Sequence, residues 1–289
     1  MAVQARRLAG ENLVVVPYRK VSVSALGANV VLVLLGCFFL LPMLWMIFAS
    51  VDKDPDWAIK LPSLTLANFV DVLSRPDALS SFRSSLILAG TTTVVTTALA
   101  VLAAYPLSRA HIPFKRTFML AILFASGLPV SMLIIPVYQM YVYFGWLDSL
   151  YTTALFLAAS SLPFAIWLMK NFIDAVPQEL EHAAAIDGAS TFRILRKLVL
   201  PLTLPGVAVT SIYTFINAWG AFIIPFVLNS NPDDQTGPVE IYNFMGSHGL
   251  FNFGDLAVFS LLFSVPVIVL YLFMSRYFSG AFNFGGAVK

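Results

Sequence analysis

Apolar residues in this chain come in long unbroken runs, separated by short polar stretches. Six runs stand out, at 25–49, 84–107, 117–141, 151–172, 204–228 and 256–275. At about 1.5 Å rise per residue, each is long enough to cross a hydrocarbon layer of about 30 Å as a helix. The runs lack the clean alternation of a barrel strand and are about twice its length, which disfavours a membrane β-barrel. Prolines interrupt them at Pro42, Pro129, Pro136, Pro163, Pro225 and Pro266. Each removes a backbone donor and favours a kink, which suits a moving helix bundle better than a static anchor. The pattern predicts an all-α integral membrane protein with six transmembrane helices.

Composition agrees. Of 289 residues, 59% are hydrophobic and 11% charged, against about half and a quarter in soluble domains. One cysteine, Cys37, lies within the first run, so neither an intrachain disulfide nor a cysteine metal cluster is available. No basic patch with interleaved aromatics points to nucleic acid. The three histidines, His111, His182 and His248, are too scattered for a metal site. There is no G-x-x-x-x-G-K-[ST] phosphate loop and no H-E-x-x-H pair.

Charge sorts the connections. Lys and Arg fall in the arm before the first run (Arg6, Arg7, Arg19, Lys20), after the second (Arg109, Lys115, Arg116), after the fourth (Lys170, Arg193, Arg196, Lys197) and in the tail (Arg276, Lys289), while the first connection, 50–83, is mixed. The third and fifth connections carry none and hold Asp148, Asp233, Asp234, Glu240 and Asp255. The positive-inside rule then places both termini and the fourth connection in the cytoplasm. The first run is too long for a signal peptide and five more follow it, so it reads as a retained span. The expected organisation is a cytoplasmic arm at 1–24, a six-span domain at 25–276 and a cytoplasmic tail at 277–289.

The fourth connection, 174–201, is polar and rich in small residues between two spans. It reads as two short helices joined by a turn. Asp174 is a candidate cap for the first, with Pro177 in its opening turn and Glu179 and Glu181 near its positive end. Gly188 can adopt positive φ and stop that helix. Ser190 or Thr191 can cap the second, which sets Phe192, Leu195, Leu198 and Val199 on one face. On the first helix Leu180, Ala183, Ala184 and Asp187 share a face.

This segment resembles the EAA loop of membrane subunits of ABC importers. That motif is an EAA triplet, three residues, glycine, nine residues, then an aliphatic residue, a spacer and Leu-Pro. Here the triplet is His182-Ala183-Ala184, the glycine Gly188, and the ending Leu198, Leu200 and Pro201. The run from Pro177 to Ser190 is similar to the carbohydrate-uptake, maltose-type subgroup of these binding-protein-dependent permeases. Matches to that subgroup extend to Pro62, Asn68 and Phe69, to Ala104-Tyr105-Pro106-Leu107-Ser108-Arg109, to Gly145-Trp146-Leu147-Asp148-Ser149, and to Phe215 through Pro225. Two positions depart from the pattern: His182 stands where the family has glutamate, and Trp219-Gly220 where it often has Trp-Asn.

The resemblance implies a translocation subunit at the inner membrane that works with a second related permease, two ATPase subunits and an extracytoplasmic solute-binding protein, within membrane lipid. No cofactor would be bound by this chain; ATP and Mg would sit on the ATPases, and this chain would not be an enzyme. Glu181, His182, Ala183, Ala184, Asp187, Gly188, Leu198, Leu200 and Pro201 would form the ATPase-coupling loop. The solute would be a sugar, with a polyol, glycerophosphodiester or other organic solute as the alternative. A secondary transporter without ATP would instead carry ionisable residues within its spans, and none lies deep in any run. Gln139, Tyr213, Asn217 and Trp219 are the side chains best placed to meet a sugar, and they equally fit helix–helix hydrogen bonding. The threonines Thr91, Thr92, Thr93, Thr96 and Thr97 either line a path or bond to helix backbone.

The charge asymmetry gives a direct test. In a Cys37→Ala background, a cysteine at Ser230 is expected to react with an impermeant thiol reagent outside intact cells, and one at Ser190 is not. The reverse labelling would invert the orientation.

Overall fold

The computed structural model describes residues 23–56, 61–127, 129–246 and 252–283. Most of the expected arm and the last six residues of the expected tail lie outside this set. Among the described residues the only extended pairing is an isolated bridge between Asp52 and Leu64. All other regular structure is helical: α1 Val23–Ser50, α2 Ala67–Ser74, α3 Pro76–Arg109, α4 Lys115–Ser126, α5 Ile134–Phe144 and α6 Leu150–Asp174. Then come α7 Gln178–Ile186, α8 Thr191–Ile194, α9 Leu200–Leu202, α10 Leu204–Trp219, α11 Ile223–Leu228, α12 Gly237–Gly246 and α13 Phe253–Asn283. The chain divides at Met46 into two units. The first holds most of α1, which is apolar on every face. The second holds the packed helices.

Among the described residues, four helices are long and apolar enough to cross a membrane: Gly27–Ser50, Pro76–Arg109, Leu150–Asp174 and Phe253–Phe273. Two bent pairs reach that length together, Lys115–Ser126 with Val130–Phe144, and Thr191–Leu202 with Leu204–Trp219, the latter bent by 77°. The run at 204–228 is not one helix. Helix α10 stops at Trp219, Gly220 to Phe222 interrupt it, and α11 resumes at Ile223 with Pro225 inside. Helix α3 begins earlier than its apolar run, because Pro76 and Asp77 suit a helix's first turn.

The centre of the second unit is the α3–α6 pair, and small residues explain its closeness. Ala89, Ala100 and Ala104 of α3 and Ala154, Ala158 and Ala165 of α6 are buried, allowing the backbones to approach. Thr92 Oγ1 donates to Ala154 O (3.3 Å) and Thr96 Oγ1 to Ala158 O (3.5 Å). Thr93 returns its hydroxyl to Ala89 O, and Thr97 meets Ser211 of α10 at 3.2 Å. These threonines therefore bind helix to helix, or to their own backbone.

At the N-terminal end of α3, polar contacts fix the connections. Asn68 of α2 donates to Ser50 O and Asp52 O. Arg75 pairs with the buried Asp255 at 2.6 Å and lies over the Phe244 ring. Asp255, expected in an acidic solvated loop, is thus an internal partner in the first turn of α13. Asp148, in a left-handed conformation, donates its N–H to Leu228 O, and its carboxylate accepts from Ser230 N.

Gly206 of α10 lies against α6, where an added Cβ would come within 2.4 Å of Phe172 Cγ. Gly206→Val should lower the thermal midpoint of the purified protein in detergent, with an overpacking cost of about 1–3 kcal/mol. Gly90→Ala, with no atom within 4 Å of the new methyl, should leave the midpoint unchanged or raise it.

Candidate functional site

Local backbone geometry makes the 174–201 loop a helix–turn–helix. Gly188 has φ +80° with open space where a Cβ would stand, so the constraint there is conformational and not steric. Its N–H bonds Ala185 O, and Ala189 N bonds Ala184 O, closing α7. The start of α7 differs from expectation. Pro177 occupies the N-cap position and no side chain caps the helix. Asp174 ends α6 instead, where its carboxylate accepts from Ser108 Oγ and pairs with Lys170 one turn back. Ser190 occupies the second cap position without making the side-chain bond.

The second helix continues from α8 through a π-helical turn, Leu195–Val199, into α9. Such turns widen a helix by one residue and recur at functional sites. Here the turn buries Ile194, Leu195 and Val199 together against Ala100, Ala104, Ala165, Met169 and Ile173. Phe192, expected to share a face with Leu195 and Val199, is 65% exposed while those two are buried.

Glu181 holds the loop to the spans. Among the residues expected to meet an ATPase, it turns inward. It is 7% exposed, and its Oε1 lies 2.7 Å from Arg109 Nε and 2.6 Å from Arg109 Nη2. Its Oε2 accepts from Tyr105 Oη at 2.9 Å. Arg109 Nη2 also donates to Ile173 O (3.0 Å) and Val176 O (2.9 Å), satisfying carbonyls at the end of α6. One guanidinium thus joins α3, the end of α6 and the first turn of α7. In the sequence Arg109 counts among the cytoplasmic cations and both Tyr105 and Arg109 fall in a family match, with no contact to Glu181 expected. Their four-residue spacing sets both on one helix face, which was the available signal.

His182, Ala183, Asp187 and Gly188 are exposed, Ala184 is half-buried, and Leu198 and Leu200 are half-buried beside the exposed Pro201. The outer surface is also apolar: Leu180 is 44% and Ile186 88% exposed. The outward side of α7, opposite the anchor, is thus made of apolar and small residues.

A second feature is a cavity of about 290 Å³ beside the middle of α6. Ser160, Ser161 and Phe164 of α6 face Tyr213 and Asn217 of α10 there, with the 220–222 break at its edge. The Phe164 and Tyr213 rings lie 4.5 Å apart. Asn217 donates to Tyr213 O, leaving its amide oxygen for another partner. No charged side chain lines the cavity. It gathers two of the four residues expected to meet a sugar. Gln139 is exposed on α5, outside it. Trp219 is buried, donates Nε1–H to Phe263 O at 3.1 Å and stacks on Phe263 and Phe215.

The model of the family described as binding-protein-dependent transport system inner membrane component matches residues 96–283, which include α6, the loop and α10. The chain belongs to that family. It is 32% identical over 248 residues to the sulfoquinovosyl glycerol transport system permease protein SmoH of Agrobacterium fabrum, covering 83% of this chain and 86% of that protein. It is 28% identical to the trehalose/maltose transport system permease protein MalG of Thermococcus litoralis, covering 89% and 94%. Its fold resembles a chain in the crystal structure of a bacterial ABC transporter involved in import of the acidic polysaccharide alginate. There the TM-score is 0.75 at 22% identity, covering 91% of this chain and 100% of that one.

Arg109→Ala should destabilise the loop end by about 3–5 kcal/mol, because it strands a buried carboxylate. Arg109→Lys should not rescue it, since a single ammonium cannot reach all these acceptors. Hydrogen exchange across 174–201 should rise in both variants. Arg109→Met combined with Glu181→Leu should recover part of the loss; no recovery would show that the pair is not the anchor.

Proposed function

We propose that this chain is the permease subunit of an ATP-driven importer for an uncharged sugar, with six spans, both termini and the 174–201 loop on the cytoplasmic side. The observation that carries this reading is the loop itself: an exposed small-residue face locked by one buried ion pair to two spans. In the proposed assembly a second related permease completes the path, two ATPase subunits meet the loops, and a binding protein delivers solute on the far side. ATP and Mg belong to the ATPases.

The geometry supports a mechanical role. A push on Ala183, Ala184 and the exposed Ile186 would reach Glu181 one turn away, then Arg109, and so the ends of α3 and α6. The second helix would carry the same push through the π-turn to the bend before α10. Packed interfaces of this kind shift as bodies between discrete arrangements. Differential affinity of ATP for the closed ATPase pair would then set which arrangement is populated.

The cavity supports the solute class. Hydroxyls, an amide and an aromatic face, without charge, fit a polyhydroxylated neutral molecule. A phosphate-bearing solute would call for cations, and the cavity has none. Tyr213 and Asn217 are the proposed contacts; Gln139 and Trp219 lie outside.

The test uses cells carrying the whole transporter and radiolabelled trehalose or maltose. Gly188→Val, which forces a β-branched residue into positive φ, should abolish most uptake and reduce co-purification of the ATPase while the spans still insert. Gly188→Asn, which tolerates that conformation, should retain most uptake. Normal uptake and assembly in Gly188→Val at normal expression would remove the loop from the mechanism. The purified subunit alone should not turn over ATP.

A further inference from the structure

A third feature lies at the same end of the molecule as the loop. Between the first turns of α4 and the last turns of α6 is an open cleft of about 420 Å³. Its mouth carries three cations, Lys115, Arg116 and Lys170, with Asn171 beside them. Its wall is Met119, Leu120, Leu123 and Trp167.

Charge balance at the mouth favours an anion. Asp174 is paired with Lys170 and also accepts from Ser108, so these two charges offset each other and the excess is that of Lys115 and Arg116. Lys115 donates to the carbonyl of Ser108, which leaves its charge uncompensated. Arg116 is exposed and has no carboxylate partner among the described residues. Helix α4 begins at Lys115 without a side-chain cap, so its positive end adds to the same field.

The order of residues along the two helices identifies what kind of anion fits. On α4 the lining runs from Lys115 and Arg116 through Met119 and Leu120 to Leu123, one turn deeper each time. On α6 it runs from Lys170 and Asn171 back to Trp167. Both helices thus pass from charged to apolar in the same direction, with a tryptophan near the transition. A free anion needs only the mouth. A molecule with a charged head and a hydrocarbon tail uses the whole cleft, and basic pockets between spans are suited to such headgroups. Tryptophan likewise favours the level of the headgroups.

We propose that this cleft binds an anionic phospholipid, with its phosphate among Lys115, Arg116 and Lys170 and an acyl chain along Met119, Leu120 and Leu123. The proposal rests on the membrane placement above, but not on the solute or on the ATPase contact. A lipid here would brace α4 against α6 beside the loop anchor.

Trp167 reports occupancy directly. The full chain is reconstituted in phosphatidylcholine vesicles, and bromine-labelled phosphatidylglycerol or bromine-labelled phosphatidylcholine is added in steps. The Trp167 signal is taken as the difference between the wild type and Trp167→Phe. Labelled phosphatidylglycerol should quench it at a several-fold lower mole fraction than labelled phosphatidylcholine. Arg116→Gln should raise the required fraction about fivefold, the ratio given by about 1 kcal/mol per surface cation. Equal quenching by the two lipids would overturn the proposal. Displacement of the anionic lipid by millimolar inorganic phosphate would replace it with a free-anion site. Loss of quenching once the whole transporter is assembled would show that a neighbouring subunit covers the cleft.

Discussion

A guanidinium held out of water must have its donors met, and at Arg109 that requirement joins three helices. Its partners are the Glu181 carboxylate, the carbonyls of Ile173 and Val176, and the neighbouring Ser108 hydroxyl. Removing one partner leaves the others buried and short of a bond, so the contacts stand or fall together. The loop therefore does not hang from flexible connections. Besides the chain that precedes it, α7 is held to the end of α3 by the Glu181 carboxylate, which meets both Arg109 and Tyr105.

Rigidity further into the molecule has a different origin. The α3–α6 contact uses alanines and threonines, which cost little side-chain entropy and let the backbones come close. Thr92 and Thr96 reach carbonyls of the facing helix. The breaks around α10 have identifiable causes: Thr203 with Pro205 at the bend before it, and Gly220 to Phe222 before α11.

The apolar runs revealed the class of the fold because hydrocarbon thickness leaves few alternatives. Their ends were less legible. The run at 204–228 hides a break, since Gly220 and Ala221 are apolar enough to pass as span. The loop was readable from Gly188, whose positive φ the spacing anticipated. Its anchor was not, because Arg109 and Glu181 lie 72 positions apart in sequence and each has an ordinary surface explanation alone. The same limit applies to Asp255, which looked like loop charge until Arg75 was seen beside it. Tyr213 and Asn217 meet at the cavity because α10 presents both toward α6; Trp219, two residues on, turns to Phe263 instead. Helical phase separates them, and phase against a neighbour is a tertiary property.

The cavity beside α6 has an electrical consequence. Moving one elementary charge across the membrane field costs or releases about 2.3 kcal/mol per 100 mV. Neither the lining of this cavity nor an uncharged solute within it carries such a charge. Passage through it would do no work against the membrane potential in either direction. The voltage that drives ion-linked carriers would then neither help nor hinder this step, and a cell whose potential collapses would keep the route open as long as the chemical energy for turnover lasts.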